Sequence, residues 1–169
     1  IVVQKKIDKI AVKSKVLTKK DFAKAKAAFV AIKNKKWKTA LKISKNSRDK
    51  TLFKLVNYLY LKQPNNGASF YDYLTFINNN PYYPRINRLR YLAEHKINLK
   101  IHKQKDIIKW FDGKEPLSEY GKIKLGEVYL LQDNIEEGTK LIKEGWIKAK
   151  LSKGQLKTLR KKYKKIITV

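Results

Sequence analysis

Apolar residues recur at intervals of three and four along almost the whole chain, the period of an amphipathic helix. Phe22, Ala25, Phe29 and Ile32 form one stripe, Trp37, Ala40 and Leu41 begin a second, and Leu52, Leu55, Val56 and Leu59 form a third. Phe70, Tyr73, Leu74 and Ile77 follow, then Ile86, Leu89, Ala93 and Ile97, then Ile107, Ile108 and Phe111. Leu125, Val128 and Tyr129, the run Leu141, Ile142, Gly145, Trp146 and Ala149, and finally Leu156, Leu159, Tyr163 and Ile166 complete the series. No segment keeps a clean alternation of apolar and polar positions, so no strand is predicted.

Capping chemistry sets the helix starts. Thr18 with Asp21, and Ser69 with Asp72, place a hydroxyl at the N-cap and an acid three residues on, where it also meets the positive end of the helix dipole. Ser118 and Ser152 are further N-caps. Stops are predicted at Asn34, Asn46 with Ser47, Pro64 to Gly67, Gly113, and Asp133 with Asn134. The result is about ten helices of roughly 10 to 16 residues, joined by connections of about two to six. Connections that short turn consecutive helices antiparallel and give a hairpin of roughly 35 residues. Trp37, Tyr73, Trp110 and Trp146 are spaced by 36, 37 and 36 residues, near the period of helix-pair repeats. The predicted fold is all-α, a superhelix or solenoid of short helices stacked as antiparallel hairpins, tetratricopeptide-like, in a single domain over residues 1–169.

Asn80, Pro81, Tyr82, Tyr83 and Pro84 form a corner between two helices. Pro81 lacks an N–H and disfavours helical geometry at Asn80, ending the first helix. Pro84 suits the first turn of the next, where a missing donor costs nothing. Tyr82 and Tyr83 are expected to wedge against the neighbouring hairpin, with sugar stacking as the functional alternative.

Composition narrows the function. The net charge is +27, with 36 Lys against five Arg. Arg forks, which read guanine and phosphate bidentately, are therefore scarce. A solvated Lys-rich surface is the plain reading, although such a field attracts polyanions. Lys161, Lys162, Lys164 and Lys165, off the last apolar stripe, are the candidate polyanion contacts. With no Cys there is no disulfide or thiolate chemistry. No run reaches the roughly 18 to 20 apolar residues that span a bilayer. No signal peptide is visible, and the absence of Met suggests a processed or trimmed piece. His95 and His102 lack the i,i+4 spacing of a helical zinc site, and no glycine-rich phosphate loop exists, so no metal or cofactor is expected. Glu115 and Glu119 read as first-turn acids of a helix. Glu94 reads as a buried or half-buried partner of a Lys or Arg.

The order of landmarks from Phe70 to Trp146 resembles the N-terminal helical domain of soluble lytic murein transglycosylases. Phe76, Asn80, Pro81 and Pro84 fit the family's corner, with Tyr83 where an indole is more usual. Leu89, Ala93 and Glu94, then Trp110 and Phe111, Pro116, Gly121 and Gly145 with Trp146 follow in the family's order, Gly145 replacing the usual Ala. A weaker likeness reaches Phe29, Trp37 and Ala40 upstream and Ser152 to Tyr163 downstream.

The resemblance implies a non-catalytic, curved scaffold in the periplasm. It would hold the glycan strands of peptidoglycan for the protein's own catalytic domain, C-terminal of these residues. That whole protein would cleave MurNAc–GlcNAc bonds to 1,6-anhydro products. Tyr82 and Tyr83 would then be the glycan contacts. The family's catalytic Glu-Ser pair is absent here, because none of the seven Glu precedes a Ser, and its Gly-Leu-Met-Gln segment cannot occur without Met. No catalytic residue carries over. A helical-repeat protein-interaction adaptor is the alternative, with a basic nucleic-acid-binding helical domain third.

Overall fold

The computed structural model describes residues 16–167, which form ten α-helices without a strand among them. The expected domain over 1–169 runs past these residues at both ends. They fall into two compact units that divide between Gln63 and Pro64.

The first unit contains α1 (Lys19–Lys33), α2 (Trp37–Lys45) and α3 (Lys50–Leu61). Thr18 caps α1 through the Asp21 amide as predicted, and Asp49 caps α3. The start of α1 meets the end of α2, where Lys24 Nζ donates to the Asn46 carbonyl at 2.6 Å, so the pair is antiparallel. Trp37 likewise reaches Tyr60 at the far end of α3, with ring centroids 6.1 Å apart.

The buried face of α1 is rotated from the predicted stripe. Ala25, Ala28 and Ala31 are buried, while Phe29 is exposed. Alanine lets α1 and α2 approach closely around Ala40, Leu52 and Val56, and a Phe at that seam would hold them apart.

Asp21 does more than its expected first-turn role. Its carboxylate is buried and accepts from Ser47 Oγ at 2.8 Å, the Arg48 amide at 3.0 Å and the Asp49 amide at 3.3 Å, clasping α1 to the connection between α2 and α3. The Ser47 hydroxyl and the Arg48 amide hold its pKa below the ordinary 3.8, against the opposing effect of burial. A depressed carboxylate stabilises the fold above its unfolded pKa, and that contribution is lost as pH falls through the folded value. In urea unfolding from about pH 6 to about pH 2.5, Asp21→Asn is expected to be less stable near neutrality and to lose less on acidification than the wild type. An unchanged acid slope would show that the clasp contributes nothing.

The second unit contains α4 (Phe70–Asn79), α5 (Ile86–Glu94), α6 (Gln104–Phe111), α7 (Glu119–Leu130), α8 (Ile135–Lys148), α9 (Lys153–Lys162) and α10 (Lys164–Ile167). Ser69 with Asp72, and Ser152 with Gln155, form complete capping boxes, and Ser118 caps α7 through the Gly121 amide. Four helices are shorter than expected: α2 and α5 have 9 residues each, α6 has 8 and α10 has 4. The connections after α3, α5 and α6 are longer than predicted. That after α5 is organised by its own polar groups, with the Asn98 amide donating to His102 Nδ1 at 3.0 Å and the Lys100 amide to Asn98 Oδ1 at 3.0 Å.

The corner from Asn80 to Pro84 ends α4 as predicted, but Pro84 is not in the first turn of α5. Arg85 intervenes in left-handed geometry with φ 57°, and the helix begins at Ile86. Helix α7 is buried almost all round, between α8 and the α5 and α6 side. Helices α7 and α8 run antiparallel, because Gly126 abuts Gly138 while the Glu119 carbonyl abuts Gly145. Ile123, Ile142, Leu159 and Tyr163 form the core beside them. The aromatic series falls in α2, α4, α6 and α8. Its position slides from the first residue of α2 to the last turn of α6, so it marks alternate helices without marking one repeat position. No described helix is long and apolar enough to cross a membrane.

Candidate functional site

A cleft with varied polar and aromatic lining lies between α4, α5 and α6 in the second unit. It encloses about 420 Å³ and is lined by Tyr71, Asn78, Arg90, Asp106, Lys109 and Trp110, with Leu74, Asp112 and Lys114 at its margins. Each side chain is placed by the apolar face of its helix. Phe70 anchors the start of α4 against Trp110, with ring centroids 5.6 Å apart in an edge-on contact, and this sets Tyr71 on the outer face. Leu89 buries beneath Arg90 on α5, and Ile107 does the same beside Asp106 on α6.

The Tyr71 ring is 41% exposed yet held on two sides. Its hydroxyl donates to Asp106 Oδ2 at 3.0 Å, and its ring stands edge-on to His102 at 5.2 Å. The Asp106 carboxylate raises the phenol pKa by accepting that proton. Arg90 lays its guanidinium over the Trp110 ring, 4.6 Å from the centroid, a cation–π contact that fixes the fork without consuming its N–H donors. Trp110 is 7% exposed, and its indole Nε1 is buried without a hydrogen-bond partner. The cleft therefore offers the Tyr71 ring, a guanidinium, a carboxamide and a carboxylate, which is the equipment of a polar small-molecule site.

The predicted glycan residues lie elsewhere. Tyr82 is 97% exposed, so it wedges against nothing. Tyr83 packs edge-on to Phe76 at 5.3 Å and braces the corner. The two neighbours therefore do not form one stacking platform. Lys161, Lys162, Lys164 and Lys165 are all exposed, but Lys162 is committed inward, donating to Glu127 Oε1 at 3.1 Å. Glu127 also accepts from Lys124 Nζ at 2.8 Å and from the Tyr163 hydroxyl at 2.6 Å. Burial pushes its carboxyl up, but Lys124, Tyr163 and Lys162 outweigh that and leave it below its ordinary value. Burial and the facing carboxylate raise the Tyr163 phenol above its ordinary range.

The carboxylates gather into structural roles. Glu115 precedes α7 and is not a first-turn acid. It pairs with Lys122 at 2.8 Å, and Glu144 and Glu119 approach the same ammonium at 3.6 Å and 4.0 Å. The hydrogen bond to Glu115 raises the Lys122 pKa and lowers that of Glu115. A general acid needs the opposite shift, toward retention of its proton.

Glu94 is buried as expected; its hydrogen-bond partners are two amides and a hydroxyl, and the expected cation, Arg90, acts on it through its charge alone. Oε1 accepts from the Leu117 amide at 2.8 Å, and Oε2 accepts from the Ser118 amide and Ser118 Oγ, both at 2.6 Å. Burial pushes this carboxyl above its ordinary value, against the pull of those donors and of the Arg90 charge. His102 is a packing residue against Phe70 at 5.0 Å, and the described residues hold no cluster of His, Cys, Asp or Glu suited to a metal.

Sequence reading missed Tyr71, Arg90 and Asp106. One signal could have located the first and last. They are 35 residues apart, the hairpin length that periodicity predicts, and residues one hairpin apart meet when hairpins stack. No family model, curated protein or solved structure matches the chain.

Proposed function

We propose that this chain is a non-catalytic helical scaffold domain of a periplasmic peptidoglycan lytic transglycosylase, holding glycan strands for a catalytic domain elsewhere in the protein. The observation that carries the reading is the cleft between α4, α5 and α6. A braced Tyr71 face suits the apolar side of a pyranose ring, while Asn78, Arg90 and Asp106 suit hydroxyl and acetamido groups. The ordered landmarks from Phe76 to Trp146 support the same reading. Several of them are keystones of packing, including the Asn80–Pro81 corner, the Glu94 clasp and the Gly145 contact.

Two forces would then bind a sacculus. Exposed Lys charges act through a field that salt screens over about 8 Å at physiological ionic strength. Sugar stacking on Tyr71 is contact-based and survives salt. In co-sedimentation with purified sacculi, binding should fall between low and moderate salt to a residual level. The changes Lys161→Gln, Lys164→Gln and Lys165→Gln should reduce the salt-sensitive part, and Tyr71→Ala the residual part. Lys162 is left unchanged because of its contact with Glu127. Failure of the wild type to sediment with sacculi at any salt concentration would overturn the reading.

A protein-interaction adaptor is the second reading. Leu131, Ile135 and Ile147 lie exposed at and along α8, Ile147 at 78%, as an unoccupied partner surface would require. An adaptor would leave sacculi in the supernatant.

A further inference from the structure

The first unit carries its positive charge almost without opposition. Its described residues hold thirteen Lys and one Arg against two acids, Asp21 and Asp49. Both acids are engaged, Asp21 buried in its clasp and Asp49 capping α3 through the Thr51 amide at 2.7 Å. Ala25, Ala28 and Ala31 turn one side of α1 toward α2, and the other side faces outward with no carboxylate on it. Ala23, Ala27 and Val30 run along the centre of that outer face at helical spacing. All three are exposed, Val30 at 59%, and Val16 just before the helix is exposed as well. Lys19, Lys26 and Lys33, seven residues apart, border this line on one side, and Lys20 borders it on the other. Beyond the row of three lie Phe22 and the exposed Phe29, with Lys26 Nζ 5.0 Å from the centroid of the Phe22 ring.

We propose that the outer face of α1 docks on an anionic lipid surface, lying in the interface plane without crossing the membrane. Ala23, Ala27, Val30 and Phe29 enter the headgroup region, and the bordering Lys ammonium groups meet lipid phosphates. Lys suits this place because its stem lies along apolar surface while its charge reaches outward. It also meets a lipid phosphate as a point charge, without the fixed geometry that an Arg fork requires. A nucleic acid would satisfy the same ammonium groups but leave Val30 and Phe29 against a phosphate backbone. A partner helix would need acids matched to both borders of the apolar line, whereas an anionic leaflet presents negative charge on every side. This docking is independent of the glycan cleft, which belongs to the second unit.

The test uses the full chain, in which the lack of Cys makes a single introduced one unique. Val30→Cys carries a polarity-sensitive fluorophore, and Thr75→Cys, exposed on α4, carries the same label as a control. Vesicles of equal parts phosphatidylglycerol and phosphatidylcholine should shift the label at position 30 to the blue and leave that at position 75 unchanged. Pure phosphatidylcholine vesicles should shift neither. In co-sedimentation with the mixed vesicles, Lys19→Gln, Lys26→Gln and Lys33→Gln together should weaken binding at least about tenfold. Lys153→Gln, Lys157→Gln and Lys161→Gln on α9 remove the same charge and should weaken it less than about threefold. The label needs no Lys substitution, so its reading stands even if a triple variant is unstable. Equal losses from the two triples, or vesicle binding with no shift at position 30, would show a diffuse field without a docking face and overturn the proposal. An equal shift with pure phosphatidylcholine would trace to the label itself, and an equal shift with a DNA duplex or polyglutamate to a general polyanion surface. Shielding of the label before vesicles are added would mean that the protein or a second copy already covers the face. Each of these three results also overturns it.

Discussion

Alanine at Gly126, and separately at Gly145, should each destabilise the second unit by about 1–3 kcal/mol, the usual cost of forcing an extra carbon into a packed seam. In an open helix the same change does the reverse, because glycine loses more backbone entropy on folding and alanine recovers about 0.4–1 kcal/mol. What decides the sign here is the neighbour. A Cβ on Gly126 would sit 2.7 Å from the Gly138 carbonyl oxygen and 2.9 Å from Ile142 Cγ1, and one on Gly145 would sit 2.6 Å from the Glu119 carbonyl oxygen. Backbone oxygens cannot rotate aside, so α7 and α8 must separate and loosen Ile123, Ile142 and their partners. Gly154 is the internal control. It lies in α9 with nothing within 4 Å of the corresponding position, so Gly154→Ala should hold or raise stability. Urea and thermal unfolding read both effects, the destabilised variants melting lower by about 2–4 °C for each kcal/mol in a chain of this size. Gly126→Ala and Gly145→Ala variants as stable as Gly154→Ala would remove the close contact as an explanation of how α7 and α8 pair.

Replacing Glu94 by Ala should cost still more, about 3–5 kcal/mol, since a buried donor left without its acceptor costs about 1–3 kcal/mol and several are orphaned together. The Leu117 amide, the Ser118 amide and Ser118 Oγ all point at one carboxylate. Ser118 Oγ in turn accepts from the Gly121 amide at 2.9 Å, so the loss reaches the N-terminus of α7. Glu94→Gln should recover part of the stability. It keeps one acceptor and the volume, and burial already works against the charge. A double-mutant cycle with Gly121 gives a sharper reading. A Cβ at Gly121 would collide with Glu94 Oε2 and lie 3.1 Å from Pro116 Cβ. Gly121→Ala should therefore be costly in the wild type and cheaper once Glu94 is Ala, a coupling that independent sites would not show. Additive losses, or an Ala variant no worse than the Gln variant, would mean that the carboxylate is not what holds α5 to the start of α7.

The sequence by itself determined what depends on neighbours within one turn. Thr18, Ser69, Ser118 and Ser152 start helices because an N-cap hydroxyl needs only the amide two or three residues on. Asn34, Asn46 and Asn134 flank helix ends for equally local reasons. The all-α class followed from these signals and the apolar period. Tertiary structure decided the rest, because the partners are far apart in the chain. Asp21 reads locally as a first-turn acid, and only the connection 26 residues on turns it into a clasp. Glu94 reads as one half of an ion pair, but its donors are amides 23 and 24 residues away that no charge pattern announces. On α1 the period defines an apolar side without saying which edge meets α2, and closeness of approach selects the alanines over Phe29. The candidate site is the extreme case. Tyr71, Arg90 and Trp110 are ordinary on their own helices, and their chemistry exists only because packing brings three helix faces around one cleft.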